Sequence, residues 1–307
     1  MFNMLIPRPF EEKFRSIFGK NYEKLMSISR NDIRHSIRVN TLKISKVELA
    51  DRLKKKGWLL DQILWYDNGF FVKTEDNKSK TLEYYLGYYY IQESASMVPS
   101  IVLDPQENER VLDISAAPGS KTTQTAMMMN NRGLIVANDL DRNRLEALKF
   151  NLQKYGVTNT VVTNSDGRFL WQDGIKFDKI LLDAPCSGSG TFVTNQNVFE
   201  SWNLSKVNEL SRLQKQLLES ASKCLDENGE IVYSTCSLDP EENEEVIDFA
   251  VGKLGLTTEK IELNGIKYDR SLKSFNRDYL PEVRHAIRIH PFDNFTEGFF
   301  ICKLKKC

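Results

Sequence analysis

Apolar residues near the start of the chain recur at helical spacing. Phe10, Phe14, Ile17, Phe18 and Leu25 follow that period, so residues 1–60 read as largely helical. Within them "SIRVNTLK" alternates like a strand. "SKVELADRLKKKGW" opens on Ser45, carries an amphipathic pattern and stops at Gly57. Residues 62–90 are aromatic and broken by Gly and Asn, which predicts short strands, densest at "YYLGYYYIQ". "ESASMVPSIVL" predicts a helix leading into the next unit.

From about residue 105 the pattern changes to short apolar runs alternating with helical segments. The runs are "RVLDIS", "LIVAND", "TVVTNSD", "DKILLDA" and "GEIVYST"; helices are predicted over 121–129, 142–155 and 203–225. That alternation predicts a doubly wound, mostly parallel α/β sheet. The tail differs. "RHAIRIHP" and "GFFICKLKK" have no helical pattern between them and predict an antiparallel hairpin on the sheet edge. The chain thus divides into a small α+β lobe, residues 1–100, and an α/β domain, residues 101–307. In such sheets ligands sit beyond the carboxyl ends of the strands. Every unusual residue below lies at such an end.

Composition changes this picture little. The 307 residues are 41% hydrophobic and 27% charged, suiting a soluble globular protein of one large domain or two. No run reaches the about 18 apolar residues a membrane helix needs, so no membrane partner is expected. Early prolines and acids argue against a signal peptide. The 5 cysteines form no C-x-x-C pair, which argues against structural zinc, other metal sites and a disulfide framework. A reducing, cytoplasmic setting and a monomer are the expectations.

Charge says more in its distribution than in its sum. Net charge is zero, yet residues 1–61 hold 14 Lys and Arg against 7 Asp and Glu, and residues 226–248 hold nine acids and no base. A basic lobe beside an acidic half would steer a polyanion to one end. A merely solvated charged face is the competing reading.

The candidate chemistry begins at "VLDISAAPGSKT", a strand, a turn of small residues and a helix start. Ala116, Ala117 and Gly119 let a ligand approach the backbone, and Pro118 stiffens the turn. The spacing is neither a Walker loop nor G-x-G-x-x-G. Further on, Asp139 ends the second strand, placed to accept from a ribose diol. Asp166 ends the third and Asp183 the fourth. Each alone reads as a cap or turn residue. In strand order they fit a nucleoside-bearing, cationic cofactor, S-adenosylmethionine.

The motifs "SAAPGSKTTQ", "NDLDRNRLEALKFNLQKYG", "DAPCSGSGTF" and "YSTCSLDPEENEEVI" resemble, in order, those of the Sun-type (Nol/Nop/Sun) RNA cytosine-5 methyltransferases. "IRVNTLK", "YYIQESASMVPS" and "EGFFICKLKK" extend the likeness over about residues 34–307. The resemblance implies a Rossmann-like methyltransferase sheet with a small RNA-binding lobe. It implies a cofactor loop at Ser115, Ala116, Ala117, Pro118, Gly119, Ser120 and Lys121, with Asp139, Arg144, Asp166 and Asp183 beside the cofactor. Ser115 stands where the family often has Cys, and Ser120 where it often has Gly; both keep the loop small. "RIHPFDN" departs from the family's Pro-His, so His290 receives no catalytic role.

Two thiols remain. Cys186 follows the fourth strand and Cys236 the fifth. Cytosine C5 is a poor nucleophile, and a thiolate added at C6 makes it enamine-like, able to take the methyl of a sulfonium. Only a thiolate attacks, and both positions offer a strand end beside a helix start. The residues alone do not choose between them. The resemblance implies Cys236 as nucleophile, Cys186 as the thiol that assists release, and Asp183 on the Watson–Crick edge at N3. Cys224, Cys302 and Cys307 read as small buried hydrophobes.

For the substrate, Phe192 and Tyr88–Tyr90 could stack on bases, although core packing is the stronger reading for both. Arg212, Gln214 and Lys215 face either substrate or solvent. Lys and Arg of residues 1–61 would hold phosphates. The resemblance points to transfer RNA, with ribosomal RNA as the alternative. A non-enzymatic RNA-binding protein would lack a thiol or Asp183, and an amino-group methyltransferase would carry Asn/Asp-Pro-Pro-aromatic where this chain has "DAPCSG".

Overall fold

The helical spacing at the start becomes α1 (Arg8–Phe18) and α2 (Tyr22–Ser27). The computed structural model describes residues 6–306; the expectations placed on residues 1–5 and on Cys307 fall outside them. Next come β1 (Ser36–Val39), α3 (Lys46–Lys55), β2 (Leu59–Gln62), β3 (Gly69–Lys73), α4 (Leu82–Tyr85) and β4 (Tyr89–Ile91). Ser45 Oγ accepts the Glu48 N–H at 3.2 Å and caps α3. Gly57, at φ +82°, lets the chain leave that helix. The four strands pair antiparallel in the order β2-β3-β1-β4. Leu49 and Leu53 of α3 pack on Ile37, Val39 and Phe70 of this sheet.

The chain continues through α5 (Val98–Leu103), β5 (Arg110–Asp113), α6 (Ser120–Met128), β6 (Leu134–Asn138), α7 (Arg142–Tyr155), β7 (Thr160–Thr163) and β8 (Phe177–Asp183). Then follow α8 (Asn197–Ser201), α9 (Leu204–Cys224), β9 (Leu225–Thr235) and α10 (Glu244–Leu254). The last elements are β10 (Leu256–Glu259), β11 (Asp269–Arg270), β12 (Ser274–Phe275), β13 (Arg277–Asp278), β14 (Ile287–Ile289), α11 (Pro291–Asn294) and β15 (Phe299–Lys306).

The large sheet runs β11-β14-β15-β9-β8-β5-β6-β7. Strands β5 to β9 are parallel. The order reverses between β5 and β8, so the loops leaving these two strands diverge and open a crevice. Alternate residues feed opposite cores. Ile180, Leu182, Ile231 and Tyr233 meet α9 and α10, whereas Leu181 and Val232 face the side of α5 and α7. Cys224 and Cys302 lie in the first of these cores, as expected, and burial pushes the Cys224 thiol up to about 11.

The tail differs from the expected edge hairpin. β14 and β15 do pair antiparallel, but α11 separates them in sequence. β15 is interior, bonded to β9 on one side and to β14 and β10 on the other, and β11 extends the sheet past β14. Two short strands from the loop-rich residues 255–270, too brief to show alternation, cover what the pattern left as an edge.

Asp113 ends β5 inside the protein, 3% exposed, and accepts from Thr122 Oγ1 at 2.7 Å. Burial pushes its carboxyl up to about 7. The folded chain therefore holds a proton that the unfolded chain releases near pH 4, and stability falls as pH rises from about 4 to about 7. Asp113→Asn removes this titration. Urea midpoints of the two proteins should lie closest on the acid side and favour the variant increasingly as pH rises toward about 7; parallel curves would contradict the assignment.

Candidate functional site

The loop after β5 is shaped by its small residues. Ala116 N–H donates to the Asn138 carbonyl at 2.7 Å, and Ala117 N–H to Asp139 Oδ2 at 3.1 Å. Gly119 sits at φ +101°, and a Cβ there would meet Leu148 Cδ1 at 2.8 Å. From the N-terminal lobe, buried Arg38 donates to the Ser120 carbonyl at 2.8 Å and to Thr123 Oγ1 at 2.7 Å. The first turn of α6 is thus held by a side chain 82 residues away in sequence.

The crevice is a cleft of about 810 Å³. Ser115, Ala117, Asp139 and Arg144 line its β5–β6 side, Asp166, Asp183, Cys186 and Cys236 line another, and α9 closes it with Glu209, Arg212 and Leu213. Ala116, Pro118, Gly119, Ser120 and Lys121 do not line it; they form the backbone and helix start behind it. Asp139 is buried, and Arg144 Nη1 lies 3.3 Å from its carboxylate while Nη2 donates to the Ala117 carbonyl. Asp166 caps a 3-10 turn and is gripped by the Arg168 guanidinium at 2.6 Å, which holds its carboxyl below the usual range.

At the carboxyl ends of β8 and β9 the pairing Asp183↔Ser234 brings the two cysteine turns side by side. Cys186 Sγ and Cys236 Sγ lie 3.3 Å apart, both half-buried. The hydrogen bond with Cys236 and burial push the Cys186 thiol well up, and the nearby Glu242 and Asp183 carboxylates add to this. Cys186 therefore holds its proton more tightly than an ordinary thiol, within hydrogen-bond range of Cys236 Sγ. Asp183 accepts from Ser234 Oγ at 2.7 Å and from Lys121 Nζ at 2.6 Å. The Lys121 ammonium also reaches Ser96 Oγ at 3.0 Å, so it stands with Asp183 and behind the cofactor loop.

The acids after Cys236 resolve into individual tasks. Glu242 accepts from Ser187 N–H at 2.9 Å, Ser187 Oγ at 2.5 Å and Gln214 Nε2 at 3.1 Å, and burial with nearby Asp239 pushes its carboxyl up to about 7. Gln214 is fully buried, facing neither substrate nor solvent. Asp239 accepts from Ser189 Oγ at 2.6 Å and from Lys13 Nζ of α1 at 2.6 Å. Glu244 pairs with buried Arg288. These carboxylates pin both cysteine turns to α1, α9 and β14. Lys13 and Arg38, counted in the basic lobe, are thereby committed inside the protein and hold no phosphate. Spacing identifies acids near a helix start, but no local signal says which of them meets a partner 226 residues away.

Two of the aromatic candidates belong to the core: Phe192 is 4% exposed against Phe10, and Tyr89 is fully buried, whereas Tyr88 and Tyr90 are half-buried. His290 stacks on Phe292 at 5.2 Å and lies 3.2 Å from Asp269, and it does not line the cleft that holds the two thiols. Among the described residues, no helix is long and apolar enough to cross a membrane.

A reversing parallel sheet with a small-residue loop after its first strand and acids ending the next strands defines a Rossmann-like methyltransferase. A family profile described as 16S rRNA methyltransferase RsmB/F matches residues 100–305, and one described as the N-terminal domain of 16S rRNA methyltransferase RsmF matches residues 6–94. The chain belongs to this RsmB/F methyltransferase family, and the resemblance read from its motifs is borne out. It is 42% identical to a tRNA (cytosine(49)-C(5))-methyltransferase of Pyrococcus abyssi, over 97% of this chain and 99% of that one. It is 37% identical to ribosomal RNA small subunit methyltransferase F of Vibrio parahaemolyticus, over 99% of this chain but only 64% of that longer protein. Among solved structures, a methyltransferase homolog from Pyrococcus horikoshii superposes at TM-score 0.86 with 35% identity, covering 96% and 94% of the two chains. NSun6 from Pyrococcus horikoshii, solved with SFG, gives 0.85 with 27% identity, covering 98% of each.

Proposed function

We propose that the chain is an S-adenosylmethionine-dependent RNA cytosine-C5 methyltransferase acting on transfer RNA through a transient bond from Cys236 Sγ to C6. The observation that carries this reading is the pair of thiols 3.3 Å apart beside an Asp183 carboxylate held by Lys121 and Ser234. The 42% identity to the Pyrococcus abyssi enzyme favours transfer RNA; the Vibrio relatives and the family descriptions support ribosomal RNA as the second reading.

The cleft fits S-adenosylmethionine in size and in its acids. Asp139 would meet the ribose hydroxyls, Asp166 the adenine edge, and Ser115 and Ala117 the backbone-side approach; Arg144 orients Asp139. When bound, S-adenosylmethionine supplies an electrophilic methyl group. The rest falls to the chain. The Cys236 thiolate adds to C6, and the C5–C6 electron pair becomes available at C5. A proton shared between Asp183 and cytosine N3 would hold that edge and stabilise the negative charge that develops on the ring. After C5 is methylated, a carboxylate or solvent water takes the C5 proton, the C–H electron pair reforms the C5–C6 double bond, and the C6–S pair leaves with Cys236 as thiolate. Cys186, still protonated and in hydrogen-bond range, stabilises that leaving sulfur.

Residues 1–100 would guide RNA and residues 101–307 carry the chemistry, with exposed Lys20, Arg30, Lys54 and Lys55 as phosphate contacts. We read the protein as a cytoplasmic monomer. The test is methyl transfer from labelled S-adenosylmethionine to unmodified transfer RNA and to small-subunit ribosomal RNA, with the product base mapped. 5-Methylcytosine in transfer RNA is expected. Label only in ribosomal RNA would favour the second reading, and label on an exocyclic amine would overturn both.

A further inference from the structure

The loop between the Cys186 turn and α9 has two faces. Phe192, Val193, Val198 and Trp202 are 3–5% exposed and pack on α1 and α2, with the Trp202 and Phe10 rings 5.0 Å apart. Asn195, Gln196, Asn197, Glu200 and Ser201 point outward and are exposed. Among the described residues, the side chains of Asn195, Asn197 and Glu200 have no hydrogen-bond or ion-pair partner, although each is polar and set on a firmly packed support.

This outward face borders a second cleft of about 590 Å³. It shares only two residues with the cofactor-side cleft, Cys186 and Cys236. The thiols therefore stand between two openings, one acid-lined and one bordered by Thr191, Asn195, Asn197, Glu200 and Ser201. The loop is also tied to the nucleophile's own backbone. Gly190 N–H donates to the Cys236 carbonyl at 2.8 Å, and Gly298 N–H to the Gly190 carbonyl at 2.9 Å. A Cβ at Gly190 would lie 2.6 Å from the Gly298 carbonyl oxygen, so the three segments touch backbone to backbone.

The lining carries no Lys or Arg. A phosphate has nothing to pair with there, so the cleft is unsuited to backbone anchoring. Carboxamides are instead the side chains that match a base edge. An Asn presents a donor and an acceptor together, complementing the N6 and N7 of adenine. A carboxylate accepts from an exocyclic amine. Unpaired RNA bases, splayed from their stack, offer such edges.

We propose that this second cleft takes the base of a nucleotide adjoining the target in single-stranded RNA, and that Asn195, Asn197 and Glu200 select adenine there. The inference rests on the methylation reading above. Sequence context is then set by a loop hydrogen-bonded to the Cys236 backbone, not by the basic lobe.

The experiment uses the full chain and the RNA it methylates, with the nucleotides on both sides of the target cytosine randomised and methylation read by sequencing. The wild type should favour adenine at one flanking position by about tenfold, the scale of one bidentate base contact. Asn195→Ala combined with Asn197→Ala should bring adenine-flanked sites down to the level of the rest. Gln196→Ala, outside the cleft, should keep the wild-type preference. A wild type indifferent to its neighbours, or a double variant with an unchanged preference, overturns the proposal. No methylation of any pool member, with no denaturation-resistant adduct to 5-fluorocytosine RNA, would instead remove the methylation reading on which it rests.

Discussion

Cys236→Ala should abolish methylation, and Cys186→Ala should leave the protein bonded to its RNA. The two thiols are 3.3 Å apart, and the proposed mechanism gives them different steps. Cys186 keeps its proton beside the Glu242 and Asp183 carboxylates. Its loss leaves the attacking sulfur in place but removes the donor that eases departure. Removing Cys236 removes the covalent route, and turnover should drop by about 10³-fold or more, on the scale of losing a covalent nucleophile. Denaturing gel electrophoresis with labelled RNA separates the outcomes: a slow-migrating protein–RNA band for Cys186→Ala, none for Cys236→Ala. The reverse pattern would exchange the roles, and residual full activity in Cys236→Ala would end the covalent account.

Arg288→Met should cost about 3–5 kcal/mol of stability, because it strands a buried carboxylate. Arg288 is 1% exposed, its guanidinium meets both Glu244 oxygens, and its Nη1 donates to the Leu238 carbonyl at 3.0 Å. Leu238 lies two residues beyond Cys236, so the same substitution loosens the turn that carries the nucleophile. Urea unfolding measures the loss. The double variant Arg288→Met, Glu244→Leu should recover much of it, since no lone charge remains buried. Equal instability of single and double variants would show that shape, not charge, holds this contact.

How much of this could be read in advance varies with the range of the interaction. The pattern placed β5, β6, β8 and the helices 142–155 and 203–225 within a residue or two of where they lie, but carried β7 on to residue 166 and began β9 at residue 229 rather than Leu225. It failed at β10 and β11, of four and two residues, where no periodicity can develop. The acids at strand ends and both cysteine turns were legible because strand, turn and helix start are local features. Asp239, Glu242 and Glu244 were legible only as a charged run; burial turned each into a distinct anchor. Gln214 illustrates the same limit: helical spacing left its direction open, and packing against Pro185 and Glu242 decided it.

The sequence by itself determined the fold class, the order of the strand ends and which residue types stand at them, because hydrophobic period and turn chemistry act within a few residues. Only the tertiary structure decided that Cys186 meets Cys236 across 50 positions, that Lys121 bridges to Asp183 across 62 and that Lys13 anchors Asp239 across 226. Such pairs depend on strand register and helix packing, which follow from burying the whole apolar surface at once and leave no trace in any local stretch of chain.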